Sequence, residues 1–135
     1  MATHEDEKAL IEAYFDVIRD GDIDRLAGIV TDDYDDRNPV RGQLVGRFGI
    51  MQKTLLFRAE HPGARMVIEA IEGIEESATA AAGGPEAPTL RAMWTTTAPG
   101  LDGTPAVTTW RYVGRFTFRD GKIRSSEVER IGRVE

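Results

Sequence analysis

The chain has 135 residues, a net charge of −6 and no cysteine. Its hydrophobic fraction of 41% and charged fraction of 30% are ordinary for a globular protein, and we expect one domain over residues 1–135. The acidic balance argues against nucleic acid and anionic membrane surfaces as partners, and the lack of cysteine excludes disulfides, zinc–thiolate sites, iron–sulfur clusters and cysteine nucleophiles.

The sequence also carries no signal for a membrane or a secretory route. No apolar run approaches the roughly 18 residues of a membrane-spanning helix. The first residues are charged and acidic, without the apolar stretch of a secretory signal. We therefore expect a cytoplasmic protein with no membrane partner.

The first third of the chain predicts two helices. Apolar residues recur with the helical period in the first, and Gly21 follows as a helix-ending glycine. Asp22 is the expected N-cap of a second, short helix. The residues expected on the buried sides are Leu10, Ile11, Tyr14, Phe15 and Ile18 in the first helix and Ile23, Leu26, Ile29 and Val30 in the second.

A third helix is predicted over residues 47–60, where His61-Pro62-Gly63 stops it. The residues expected on its buried side are Phe48, Met51, Leu55 and either Leu56 or Phe57. The polar segment before it, residues 34–39, is compatible with a short edge strand, because Pro39 cannot donate to a strand ladder.

The second half of the chain predicts antiparallel strands. Two strands are expected within residues 64–76 and 89–98, separated by a flexible loop rich in Ala, Gly and Pro at residues 80–88. A turn follows at residues 99–105. Helices first and strands later give an α+β fold, with three N-terminal helices packed on a curved, mainly antiparallel sheet whose concave face encloses a pocket.

The last strands form a predicted hairpin around Asp120-Gly121, since glycine tolerates the backbone of a tight turn. If these two residues are the whole loop, Glu127 and Glu129 share a face with the aromatic side chains of the first strand. Val113 and Val128 then lie opposite one another on the other, basic face. The predicted pairs on the aromatic face are Phe118–Ile123, Phe116–Ser125, Gly114–Glu127, Tyr112–Glu129 and Trp110–Ile131.

Three stretches resemble the SnoaL-like branch of the NTF2-like superfamily. Residues 21–26 resemble its inter-helix turn, residues 33–39 its segment after the second helix, and residues 116–123 its final hairpin. The resemblance implies a cone-shaped half-barrel with a hydrophobic cavity and a homodimer. It also implies the chemistry of polyketide cyclases, ketosteroid isomerases or limonene epoxide hydrolases. The family's frequent histidine before Asn-Pro is Arg37 here, so a pocket histidine is not implied.

Four charged residues are the candidates for catalysis. Glu127 or Glu129, partly buried against aromatic rings, would suit a general acid or base. Arg37 could hold a developing negative charge, and Asp35 shares its side of an extended segment. The alternative is structural, with the glutamates solvated or paired with an arginine such as Arg37.

Five aromatic residues are the candidates for substrate contact, the alternative being an ordinary core. They are Tyr34, Trp94, Trp110, Tyr112 and Phe116. His4 and His61 have no partner at metal-ligand spacing, so no metal is predicted. The Gly83-Gly84-Pro85 stretch lacks the lysine of a phosphate-binding loop, and no cofactor is predicted.

Two functions follow as hypotheses. The first is an enzyme that carries out cyclisation, isomerisation, dehydration or epoxide hydrolysis on a hydrophobic, oxygenated small molecule, without a cofactor. The second is a non-catalytic ligand-binding or dimeric association domain of the same fold.

Overall fold

Three helices pack on one face of a curved five-stranded sheet, in a computed structural model that describes residues 4–74 and 88–134. Strands lie side by side in the order β1-β5-β4-β3-β2, and only β1 runs parallel to its neighbour β5. This arrangement confirms the α+β prediction. The elements are α1 (His4–Asp20), a short 3₁₀ helix (Ile23–Gly28), β1 (Val30–Asp36), α2 (Arg47–Glu60), β2 (Arg65–Gly73), β3 (Leu90–Pro99), β4 (Val107–Arg119) and β5 (Lys122–Val134).

Helix α1 buries the predicted stripe. Ile11, Tyr14 and Phe15 are buried, and the Gly21 N–H donates to the Val17 carbonyl at 2.7 Å where the helix ends. The second helix is a 3₁₀ turn that ends earlier than predicted, so Val30 already belongs to β1. Most of the loop predicted at residues 80–88 lies outside the described residues. Among the described residues, no helix has the length and apolar character needed to cross a membrane.

Helix α2 has the predicted bounds, and two of its predicted buried residues are confirmed, since Met51 packs against the core and Phe57 lines the cavity, but the others lie on the exposed side. Phe48 is 64% exposed, and Leu55 and Leu56 are exposed as well, whereas Ile50 and Thr54 are buried. Apolar residues occur all round this helix, so their spacing could not identify the buried side. The inward stripe of Ile50, Lys53, Thr54 and Phe57 follows the helical repeat and includes two polar residues.

The hairpin turn is as predicted, but the predicted register holds only beside it. Asp120 and Gly121 adopt positive φ values of 54° and 74°, and Phe118 pairs with Ile123. A bulge then adds Arg124 to β5, so the pairs from Thr117–Ser125 to Tyr112–Arg130 shift by one residue. The observed pairs include Phe116–Ser126, Arg115–Glu127, Gly114–Val128, Val113–Glu129 and Tyr112–Arg130.

This shift corrects the predicted face of β5. A one-residue slip exchanges the two faces of a strand. Glu127 and Glu129 therefore lie on the outer face, and Val128 lies on the concave face rather than opposite Val113. A second bulge pairs Trp110 with Arg133 instead of Ile131.

Contacts between aromatic rings join α1 to the sheet above Gly114. The Phe15 and Trp94 ring centroids are 4.8 Å apart, and Trp94 stacks on Tyr112 with centroids 5.8 Å apart. A Cβ at position 114 would lie 2.9 Å from two Trp94 ring carbons. Glycine thus lets the Trp94 ring lie flat over β4.

We expect Gly114→Ala to lower the free energy of unfolding by about 1–3 kcal/mol, because the added methyl forces Trp94 out of its place. Urea unfolding followed by fluorescence measures this loss. Gly132→Ala is the matched control, since a Cβ there meets no atom within 4 Å. Equal stability of the two variants would contradict the packing described for Trp94.

Candidate functional site

A cavity of about 430 Å³ lies between the helices and the concave face of the sheet. This volume is within the usual range for small-molecule sites. Most of its wall is apolar, formed by Tyr14, Phe15, Ile18, Ile50, Phe57, Met66, Trp94, Tyr112, Phe116 and Val128. The polar residues of the lining are Asn38, Lys53, Thr54, Thr96, Ser126 and Arg130.

Three of the five aromatic residues predicted to contact substrate line this cavity, namely Trp94, Tyr112 and Phe116. Tyr34 is buried behind the wall, where its hydroxyl shares a hydrogen bond with Ser126. Trp110 is outside the lining, and its ring lies against the Arg130 guanidinium. Whether any of them binds a ligand stays a prediction.

Lys53 is held in the wall by an ion pair that the sequence did not reveal. Its ammonium nitrogen lies 2.9 Å from Asp36 Oδ2 and 2.7 Å from the Asn38 carbonyl oxygen. The Asp36 side chain is only 6% exposed, and Gln43 Nε2 donates to the same oxygen at 3.0 Å. The carboxylate is thus a fixed anchor for Lys53.

Asn38 joins this network to β5. Its Oδ1 accepts a hydrogen bond from the Val128 N–H at 2.5 Å, beyond the point where β1 pairing ends at Asp36–Ser126. The contact keeps the end of β1 against the cavity side of β5. Lys53, Asn38 and Ser126 therefore meet at one part of the wall.

A chain of hydroxyls continues from Ser126 into the core. Tyr34 shares hydrogen bonds with both Ser126 and Tyr14. Burial raises the pKa of both Tyr34 and Tyr14 above the usual value of a phenol. Both phenols therefore keep their protons near neutral pH and act as hydrogen-bond donors rather than as bases.

Thr54 follows Lys53 on α2 and also lines the cavity. The residue is 3% exposed, and its hydroxyl has no hydrogen-bond partner within residues 4–74 and 88–134. A buried hydroxyl without a partner costs free energy. A bound molecule whose oxygen reached this hydroxyl would supply the missing partner.

The four residues predicted to be catalytic lie outside the cavity lining. Glu127 is exposed opposite Arg115, and the Glu129 side chain is 66% exposed with its carboxylate 3.9 Å from the Arg115 guanidinium. Arg37 pairs with Asp35 at 2.6 Å on the exposed side of the β1 segment, rather than with either glutamate. The desolvation expected for the glutamates is absent, because the bulge at Arg124 turns both outward. Their catalytic role stays a prediction.

The site residues that the sequence did not predict are the immediate neighbours of those that it did. Asp36 and Asn38 alternate with Asp35 and Arg37, and Ser126, Val128 and Arg130 alternate with the two glutamates. On β1 a signal was present, because Tyr34, Asp36 and Asn38 have the same parity along an extended chain. On β5 the sequence carries no clear mark of the bulge.

The chain matches the model of the SnoaL-like domain family over residues 11–126. It has no significant sequence similarity to a curated protein. Solved structures of similar fold include TsrD from Streptomyces laurentii, with a TM-score of 0.73, 14% identity and coverage of 96% of this chain and 91% of that one.

Two further solved structures have a similar fold. A SnoaL-like polyketide cyclase from Agrobacterium tumefaciens has a TM-score of 0.69, 19% identity and coverage of 96% and 93% of the two chains. A protein with a cystatin-like fold from Caulobacter vibrioides has a TM-score of 0.62, 19% identity and coverage of 93% and 87%. At these identities the likeness shows the fold alone.

The Asp36–Lys53 pair can be tested by a double-mutant cycle. Lys53→Met leaves a buried carboxylate without its cation, so we expect a loss of about 1–3 kcal/mol in unfolding free energy. In an Asp36→Asn background the same change should cost little, which gives a coupling energy of about 1–2 kcal/mol. Strictly additive effects of the two substitutions in chemical denaturation would contradict the pair.

Thr54→Val should keep or raise stability, since it removes a buried hydroxyl that has no partner among the described residues. Ser126→Ala is the matched contrast. It removes a hydroxyl bonded to Tyr34 and should cost about 1–2 kcal/mol. Thermal unfolding of both variants measures the difference, and a Thr54→Val loss as large as that of Ser126→Ala would show that the Thr54 hydroxyl has a structural partner.

Proposed function

Because the chain belongs to the SnoaL-like domain family, we propose that it is an enzyme for a hydrophobic, oxygenated small molecule. The proposed chemistry is cofactor-free acid–base catalysis in the cavity: cyclisation, isomerisation, dehydration or epoxide hydrolysis. A structural neighbour described as a SnoaL-like polyketide cyclase supports a substrate rich in carbonyl groups.

The observation that carries this proposal is the Thr54 hydroxyl. It is buried, it belongs to a residue that lines the cavity, and its hydrogen-bonding capacity is unused within the described residues. It follows Lys53, whose ammonium is fixed in the same wall by Asp36. Two donors on adjacent residues of α2 therefore reach an otherwise largely apolar cavity, where they suit one oxygen atom of a substrate.

The four proposed reactions share a substrate oxygen that gains negative charge. In an aldol-type cyclisation the carbonyl oxygen becomes an alkoxide oxygen. In isomerisation or dehydration it becomes the oxygen of an enolate. In epoxide opening the C–O bond breaks and its electron pair stays on the oxygen. Fixed donors in a site with little water stabilise such an oxygen strongly. We assign this role to Lys53, with Thr54 and Ser126 as further donors. Lys53 also gives a proton to that oxygen, and solvent water takes the proton that leaves the substrate carbon, because no carboxylate of the described residues lines the cavity.

The competing function is a non-catalytic ligand-binding domain. One observation favours it: within the part of the chain that the structure describes, no carboxylate lines the cavity, and the nearby Asp36 carboxylate is already bonded to Lys53 and Gln43. A cavity with donors but no free base can hold an oxygenated molecule without transforming it. Activity measurements decide between the two.

We expect the protein to accelerate exchange of the α-hydrogens of 2-tetralone, a bicyclic ketone, in D₂O, as measured by NMR. Lys53→Met should reduce the catalysed rate roughly tenfold to a thousandfold, since one fixed donor to an oxyanion is worth that much. Thr54→Val should also reduce the rate while leaving stability intact. Styrene oxide hydrolysis is the parallel assay for epoxide opening.

Glu127→Gln and Glu129→Gln are the controls that also test the carboxylate prediction. Both residues are exposed on the outer face, so we expect unchanged rates and stability. A large rate loss in either variant with normal stability would support a catalytic glutamate and remove the assignment to Lys53. Binding of both probes with no rate increase by the wild-type protein would establish the non-catalytic function.

A homodimer and a cytoplasmic location also stay proposals. The Val113–Val128 pair predicted on the outer face of the hairpin would have favoured contact with a second copy. This pair does not form, because Val113 lies opposite Glu129. The support left for a dimer is the family resemblance. Sedimentation at micromolar concentration tests it.

A further inference from the structure

We propose that the cavity takes a substrate with a carboxylate or another acidic oxygen group, and that Arg130 binds this group. The inference rests on the proposed function, since it specifies the class of molecule that the cavity accepts. It starts from an imbalance of charge in the lining. Lys53 and Arg130 are cations, and no carboxylate is among the described residues that form the wall.

The two cations differ in whether a carboxylate lies beside them. Lys53 is neutralised by the Asp36 carboxylate at 2.9 Å. No carboxylate of the described residues lies within ion-pair distance of Arg130, whose only protein acceptor there is the Leu101 carbonyl oxygen at 3.5 Å. The unbalanced positive charge of the cavity is therefore at Arg130. The chain as a whole has a net charge of −6, so the positive charge at Arg130 is opposite in sign to that of the protein.

The Arg130 guanidinium is also held in a defined place. Its central carbon lies 4.0 Å from the centroid of the Trp110 ring. Stacking uses the flat face of the guanidinium and leaves its edges, which carry the N–H donors, for in-plane hydrogen bonds. A carboxylate matches two of these donors side by side. Trp110 thus positions Arg130 and need not touch the substrate.

The position of Arg130 sets a size for the molecule. Ser126 and Arg130 lie four residues apart on the cavity side of β5, which is roughly 13 Å along a strand. Val128 lies between them in the wall, and Tyr112 lies beside Arg130. A molecule that reaches both ends has an oxygen at Lys53 and Thr54, an apolar or aromatic middle, and an acidic group at the exposed end.

A matched pair of probes tests the inference: 2-naphthoate and 2-naphthamide, which have the same rings and differ in charge. By calorimetry at neutral pH and low salt, we expect the wild-type protein to bind the carboxylate roughly tenfold to a hundredfold more tightly than the amide. Arg130→Gln should abolish this preference and leave the amide affinity within about twofold, because only the charged contact is lost. Added salt should reduce the preference in the wild-type protein.

Two further variants separate charge, geometry and stability. Arg130→Lys should keep part of the preference, since it retains the charge without the paired donors. Arg65→Gln removes a positive charge from an exposed position on β2 outside the lining and should behave as wild type. Thermal unfolding of Arg130→Gln shows whether the fold is intact.

The outcomes distinguish this inference from the proposed function. Equal wild-type affinity for the two probes, or a preference that survives Arg130→Gln, overturns the role of Arg130 and leaves a cavity that binds hydrophobic molecules. Binding of neither probe overturns both proposals. A preference that is lost in Arg130→Gln, kept in part by Arg130→Lys and unchanged in Arg65→Gln establishes the acidic-group site.

Discussion

One extra residue in β5 decides which side chains this protein presents to its cavity. The bulge at Arg124 lies where β5 leaves the turn and meets β1, and both neighbouring strands change register there. Arg124 itself reaches across to β1, where its Nη1 donates to the Asp33 carbonyl at 3.0 Å. The bulge thus joins the hairpin to the edge strand, and it turns Ser126, Val128 and Arg130 towards the cavity.

The edge strand β1 depends on the same junction. It pairs with β5 in parallel near Ser125 and Ser126, and Asn38 extends the contact to the Val128 N–H. This placement brings Asp36 under α2, where the carboxylate fixes Lys53. A shift of β1 by one residue would exchange Asp36 for Asp35 or Arg37 and leave Lys53 without its anchor. The polar part of the cavity therefore follows from strand register more than from the identity of any one residue.

The fold was predictable because its signals are redundant. The helical period of α1, the bounds of α2, the Asp120-Gly121 turn and the order of helices before strands all point to one architecture. The site was less predictable, because each side chain depends on a single register. In β1 the predicted roles of Tyr34 and Asp35 conflict, since two adjacent residues of an extended chain cannot both face the cavity. In α2 the sequence pattern favours the most apolar stripe, whereas the buried stripe includes Lys53 and Thr54.

The buried stripe of α2 also indicates what the cavity is for. An apolar residue at Thr54 would satisfy the core better than a hydroxyl that lacks a partner among the described residues, and the Lys53 side chain keeps only 30% of its surface exposed. Keeping both in the wall carries a cost in stability, which is offset if a bound molecule supplies the missing acceptor. Sites of this kind break the rules of core packing where they meet a ligand. The same reasoning applies to Arg130, which has no carboxylate partner among the described residues and whose charge an acidic group on a bound molecule would balance.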